Sequence, residues 1–138
     1  MKKTSAVAAQ SVPRAAARSW VPDRGDIIWI DCNPQVGREM RDMHDMHPMA
    51  VLSPKAFNGR TGIVIGLPMT SSTSNEGNPF AIDVSRGADA PSFVLCHQPK
   101  SFDWRLRRAS RHPWKKLTPS QLAECCEGLN DIINLTTS

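Results

Sequence analysis

The 138-residue chain has no apolar run approaching the roughly 18 residues that would span a bilayer, which excludes a membrane helix. Its first nineteen residues, MKKTSAVAAQSVPRAAARS, are basic and Ala-rich. They hold no large aliphatics apart from two valines, so the apolar block of a secretory signal is missing. The composition also suits a mitochondrial presequence, but a floppy basic arm over residues 1–19 is the expectation adopted. Cysteine is sparse. Cys32, Cys96, Cys125 and Cys126 fit no zinc or redox spacing, and the adjacent Cys125–Cys126 pair is poor geometry for a bridge. Free thiols in a reducing cytoplasm are the simple reading. There is no internal repeat. An apolar content of 40% excludes global disorder.

What remains is one domain by length, expected over residues 20–138 and large enough to bury a core without disulfides or metals. The net charge of +4 and a pI near 9.1 suit a polyanionic partner. Order should begin near Trp20. Turn residues at Pro22–Gly25 and Asn33–Pro34 bracket a β-rich run, Ile27–Ile30. Further strands are expected at Pro48–Ser53, at Ile63–Met69 (nearly all apolar, hence buried on both sides), at Phe80–Val84 and at Ser92–His97. Between them, PKAFNGRTG reads as turns through Asn58–Gly59 and Thr61–Gly62, and TSSTSNEGNP as polar loop. KSFDWRLRR is amphipathic and fits a strand or a short helical turn. The C-terminus changes period. Thr118 reads as N-cap, Pro119 as first helical residue and Gln121 as capping-box partner. Leu122, Cys125, Leu129 and Ile132–Ile133 follow at helical spacing, which makes Cys125 an inert core residue. Gly128 should weaken this helix by about 1 kcal/mol. Short strands followed by one helix predict a mainly β, α+β domain: a small twisted sheet or partly open barrel closed at one end by the helix.

Two stretches could carry chemistry. EMRDMHDMHPMAVLSP, from Glu39 to Pro54, gathers His44, His47, two aspartates and four methionines. Imidazoles and thioethers could hold copper(I), but a loop running into a strand gives them no fixed face, so no metal is assigned. As acid–base chemistry the cluster makes better sense. Histidine exchanges protons near neutrality, and Glu39 or Asp45 could hold its tautomer. The second stretch, KSFDWRLRRASRHPWKK, interleaves Lys100, Arg105, Arg107, Arg108, Arg111, Lys115 and Lys116 with Phe102, Trp104 and Trp114. Cations hold phosphates and aromatic faces stack unpaired bases. A solvated basic face over buried tryptophans is the equally weighted alternative. The hydroxyls of MTSSTS follow a buried strand, from where they could donate to a phosphate.

VPDRGDIIWIDCNPQVGRE, HPMAVLSPKAFNGRTG, GLPMTSS and HQPKSFDWRLRRA, in this order and spacing, resemble the MazF/PemK/Kid family of bacterial toxins over about residues 20–135. The resemblance implies an SH3-like, partly open barrel of the CcdB/MazF kind, forming a homodimer. It implies a cytoplasmic, sequence-specific endoribonuclease that cuts single-stranded RNA without metal or cofactor, leaving 2′,3′-cyclic phosphate and 5′-hydroxyl ends, and a cognate MazE-like antitoxin. The family's GxE motif falls on Gly37 and Glu39. Its threonine after the third strand's proline falls on Thr70, with Ser71 beside it, and its QVKS motif on Gln98, Pro99, Lys100 and Ser101, ahead of Trp104 and Arg105. Relatives commonly carry RPAVVLS, whose arginine is their main catalytic residue. This chain has HPMAVLS, so His47 takes that place, and the loop before it is longer. Pro99 stands where valine is usual and removes one backbone donor. The catalytic assignment is therefore His47 as acid or base, Thr70 as phosphate donor and Glu39 as a group that orients His47 or contacts RNA; the other reading of His47 is a weakened site, or one in which Arg41 from the longer loop supplies the missing charge. Arg41, His44, Ser71, Gln98, Lys100 and Arg105 are assigned to RNA contacts. The alternative implied by the shared fold is a non-catalytic CcdB-like binder of a protein target such as gyrase.

Overall fold

A computed structural model describes residues 19–33 and 46–135. Strands β1 (Asp26–Asp31), β2 (Met46–Val51) and β3 (Ile63–Thr70) form the centre of the sheet. A short helix, α1 (Lys55–Thr61), joins β2 to β3. After a single 3-10 turn at Thr73–Asn75 come β4 (Ala81–Asp83), β5 (Phe93–Leu95), β6 (Lys100–Asp103) and β7 (Ser110–Lys116), and then helix α2 (Pro119–Ile133). All pairings are antiparallel, in the order β4-β5-β3-β2-β1-β7 with β6 also on β3. The result is the mainly β, curled half-barrel with a C-terminal helix that the sequence predicts.

β3 organises the curl. Its first half pairs with β6, from Ile63↔Asp103 to Gly66↔Lys100, and its end pairs with β5, at Met69↔Val94 and Thr70↔Phe93. Its other edge pairs with β2 at Met49↔Pro68, Ala50↔Leu67 and Val51↔Gly66. Gly66 is required at this crossing, because a Cβ there would lie 2.3 Å from the Ala50 carbonyl oxygen. Side chains alternate between two cores. Ile27, Ala50, Leu67, Met69 and Val94 face one side, where α2 covers them with Cys125 and Leu129. Ile28, Ile30, Met49, Val51 and Val64 face the other, closed by Trp104 with Trp20 edge-on at 5.9 Å. β3 is mostly buried as expected, but Ile65 is 38% exposed. It borders an open hollow with Leu52, Leu129 and Leu135.

Two elements differ from expectation, each for a local reason. PKAFNGRTG folds as helix α1 instead of consecutive turns. Asn58 is fully buried and spends its side chain outside the helix. Its Nδ2 donates to the Pro22 and Ser53 carbonyls at 2.8 and 2.9 Å, its Oδ1 accepts from the Ser53 hydroxyl, and its own carbonyl accepts from Trp104 Nε1 at 2.8 Å. The turn-forming habit of asparagine is overridden by these tertiary bonds. Gly62, at φ +76°, ends the helix. RHPWKK, read only as part of a basic aromatic run, belongs to edge strand β7. Pro113 is tolerated there because the ladder is broken around it: Arg111 pairs with Ile28 and Lys116 with Asp26, leaving residues 112–115 opposite Ile27 alone. Of the two readings of KSFDWRLRR, the strand holds for Lys100–Asp103, and turns follow.

Helix α2 carries the expected capping box, with Thr118 Oγ1 accepting from the Gln121 amide at 3.1 Å and Gln121 Oε1 from the Thr118 amide at 2.9 Å. Gly128 is a packing residue, since a Cβ there would lie 3.0 Å from Cys96 Sγ. Cys96 and Cys125 are buried against each other, and hydrogen bonding with the Cys96 thiol, followed by burial, pushes Cys125 far above the usual thiol range. Burial also raises Cys32. All four cysteines are free.

Two substitutions test this frame. Asn58→Ala deletes all three side-chain hydrogen bonds of a buried amide and is expected to lower unfolding free energy by about 3 kcal/mol in urea denaturation. A loss under about 1 kcal/mol would show that the amide does not tie α1 to the sheet. Gly66→Ala should cost about 1–3 kcal/mol by forcing β3 away from β2, seen as a lower melting temperature. An unchanged melt would contradict the close crossing.

Candidate functional site

Pro48 biases the preceding residue to extended backbone, so His47 enters β2 as strand. Register then fixes its neighbours. His47 lies opposite Ile30 on β1. Continuing the β2–β3 register two residues past Met49↔Pro68 sets His47 across from Thr70. The two residues line one hollow of about 430 Å³, together with Ser71 and Ser92, and with Trp29, His112 and Trp114 as an aromatic wall. On its other side His47 borders a second hollow of about 390 Å³ containing Lys100, Phe102, Arg107 and Cys32. His47 is thus a ridge between a hydroxyl-rich and a cationic hollow. Its side chain is exposed and makes no hydrogen bond among the described residues.

The hydroxyl of Thr70 accepts from the Ser72 amide at 3.2 Å. This orients the oxygen and leaves its hydrogen to donate into the hollow. Lys100 opens β6, exposed and unshielded. Arg107 is held differently. It donates to the Asp31 and Asn33 carbonyls at 3.0 and 2.9 Å, and its guanidinium stacks on Phe102 at 4.5 Å. It therefore fixes the end of β1 while adding positive charge to the second hollow.

The structure brings together four of the residues expected in the site: His47, Thr70, Ser71 and Lys100. Gln98 and Arg105 line neither hollow. Gln98 Nε2 sits 3.2 Å from the His97 ring nitrogen, and Arg105 lies over Trp104 at 4.2 Å, beyond the far end of β6. Glu39, Arg41 and His44 fall outside the described residues. Trp29 and His112 were not singled out from the sequence, and Trp114 only as one aromatic of a basic run. The signal was RHPWKK itself, a histidine and a tryptophan flanking a proline on what proves to be an edge strand. His112 is half-buried, and burial followed by the nearby Arg86 cation pushes its pKa below the ordinary imidazole value. Its ring is therefore held further toward the neutral form than an ordinary imidazole.

Residues 23–133 match the model of the PemK-like, MazF-like toxins of type II toxin–antitoxin systems. The endoribonuclease toxin MazF of Escherichia coli K12 is 38% identical over 92 residues, covering 67% of this chain and 78% of that protein. MazF of Deinococcus radiodurans superposes with a TM-score of 0.69 at 32% identity, over 85% of this chain and all of that one. The same toxin in a MazE–MazF complex gives 0.67 at 28% identity, over 86% of this chain and all of that one. A mycobacterial endoribonuclease bound to its cognate antitoxin shares the fold, with a TM-score of 0.60 at 14% identity. With the family model spanning nearly the whole sheet and helix α2, this chain belongs to the PemK-like, MazF-like family of type II toxin–antitoxin toxins.

Proposed function

We propose that the chain is a toxin endoribonuclease that cleaves single-stranded RNA by internal attack of a ribose 2′-hydroxyl, without a metal ion. The observation that carries the reading is the meeting of His47 and Thr70 in one hollow at the open end of β2 and β3, with Lys100 on the far side of His47. The 2′-oxygen attacks the adjacent phosphorus and loses its proton to a base. The P–O5′ bond breaks, the 5′-oxygen takes a proton from an acid, and a 2′,3′-cyclic phosphate remains. His47 is one partner in this exchange, an imidazole suited to moving protons near neutral pH. Thr70 donates to a phosphate oxygen as negative charge builds on the pentavalent phosphorus. Ser71 and Lys100 hold the flanking phosphate, with Gln98 and Arg105 as outlying RNA contacts. Glu39, as the group orienting His47, belongs to the same reading through the family's GxE motif, and Arg41 and His44, as RNA contacts, through the longer loop ahead of His47.

The strand must be single at the cut so that attacking and departing oxygens can align. A homodimer in the bacterial cytoplasm, silenced by a MazE-like antitoxin, completes the proposal. The MazE–MazF complexes of the Deinococcus relative support the antitoxin. The family match favours this reading over a CcdB-like binder of a protein target.

Two experiments test it. Single-stranded RNA incubated with the protein in excess chelator should still be cut, with cyclic-phosphate and 5′-hydroxyl ends by end-group analysis. Activity lost on chelation and restored by one metal would sink the metal-free mechanism. His47→Ala should lower the cleavage rate about 100-fold or more, in the range of a lost general acid or base. A rate within twofold of the parent removes His47 from the chemistry.

A further inference from the structure

The hollow beside His47 holds more than the proposed cleavage uses. The His112 ring lies 4.7 Å from that of Trp29, tilted by 37°, and 5.7 Å from Trp114, edge-on. The Trp114 backbone amide donates to His112 Nδ1 at 3.0 Å, so the neutral ring carries its proton on Nε2. A ring fixed in this way is a hydrogen-bond donor of constant sense, not a proton shuttle. Arg86 holds the arrangement from outside. It stacks on Trp114 at 4.6 Å and donates to the Trp114 and Lys116 carbonyls at 3.2 and 3.1 Å. Also in the wall of the hollow, Ser92 is 7% exposed, yet its hydroxyl has no hydrogen-bond partner among the described residues. A buried hydroxyl left unpaired costs stability, and one in the wall of a hollow is completed by whatever enters.

We propose that this hollow is a nucleobase pocket, in which one unpaired base next to the cleaved linkage packs on the Trp29–His112–Trp114 wall while His112 Nε2–H and the Ser92 hydroxyl read its edge. The proposal rests on the ribonuclease reading above and adds a specificity determinant to it. Aromatic side chains take any base by stacking, so they supply affinity. Selection comes from the fixed donor. It favours a ring carbonyl, as in uracil or guanine, over the exocyclic amine that cytosine or adenine presents at the same point. The serine hydroxyl can donate or accept and adapts to the neighbouring edge atom. The pocket depends on the bulged β7, because residues 112–115 leave the regular ladder there.

The test uses the full chain and single-stranded RNA oligonucleotides varied one position at a time around the mapped cut. The parent should prefer a carbonyl-bearing base at one flanking position by about tenfold in kcat/KM, the size of one well-placed hydrogen bond. His112→Phe keeps the ring and removes the donor. It should erase the preference at that position alone, mainly through KM. Ser92→Ala, a small change that leaves the aromatic wall intact, should weaken the same preference and guards against misfolding of the first variant. Unchanged preferences in both variants would overturn the pocket while leaving the ribonuclease standing. If the parent cuts no RNA, the ribonuclease reading fails by itself, and binding decides the pocket. Tryptophan fluorescence quenched by 2′-deoxy oligonucleotides in a base-dependent way, and lost in His112→Phe, supports it; no quenching sinks it.

Discussion

The close passage of β3 over β2 at Gly66 sets the geometry on which the rest depends. With no side chain at that point, the β3 backbone approaches the Ala50 carbonyl closely enough to pair with β2 on one edge and with both β6 and β5 on the other. That double use of one strand curls the sheet into a half-barrel. It also locks the β2–β3 register, because Met49 and Val51 must face one core while Ala50 faces the other. A slip of one residue would exchange the two faces along the whole strand. The same register sets His47 across from Thr70. The placement of the candidate catalytic pair is thus a by-product of core packing, settled several residues away from where the chemistry would occur.

The aromatic wall has a different origin. β7 is an edge strand, where a broken ladder costs little because one side already lacks a partner. Four residues bulge away from Ile27, and the bulge sets His112 against Trp29 and Trp114 edge-on to His112. What fixes the bulge is mostly hydrogen bonding from Arg86 to the β7 backbone. The Lys116–Asp26 ion pair at 3.6 Å adds less, since its lysine is largely exposed and such pairs contribute under about 1 kcal/mol. Lys115, at φ +68°, absorbs the backbone strain of returning to the ladder. Core strands therefore position the candidate reacting groups, while an edge with its own fastening shapes the adjacent hollow.

Much of this was legible in the residues. The strand at Ile27–Ile30, the apolar β3 and the capped helix α2 follow from period and punctuation, because in each the local preference agrees with the tertiary fold. The failures occur where the two disagree. Asn58 and Gly59 look like a turn, yet a buried amide with partners at Pro22 and Ser53 draws them into a helix. Pro113 argues against a strand and is accommodated only because β7 is an edge with a bulge. Gly128 looks like a defect in α2 until Cys96 is seen against it. In the site, His47 and Thr70 were reached through a motif, whereas Trp29 and His112 join them only through pairing of β1 with β7. No local pattern encodes that pairing, which spans about eighty residues of sequence.

In the proposed reaction the two histidines of the hollow would divide work that a single arginine does not combine. A guanidinium is charged at any accessible pH, so it stabilises anions well but yields a proton poorly. An imidazole in its place gives up constant charge and gains proton exchange, on condition that the ring nitrogen that accepts the proton is open. His47 meets that condition: it is exposed and makes no hydrogen bond among the described residues. His112 fails it, because Trp114 occupies one nitrogen and burial disfavours the cation. In the proposed reaction the charge once carried by an arginine must then come from elsewhere. Lys100 stands free in the second hollow, and Arg107 adds its field while bound to the β1 carbonyls. Proton transfer, phosphate charge and base reading would each fall to a separate residue, so a change in one need not disturb the others.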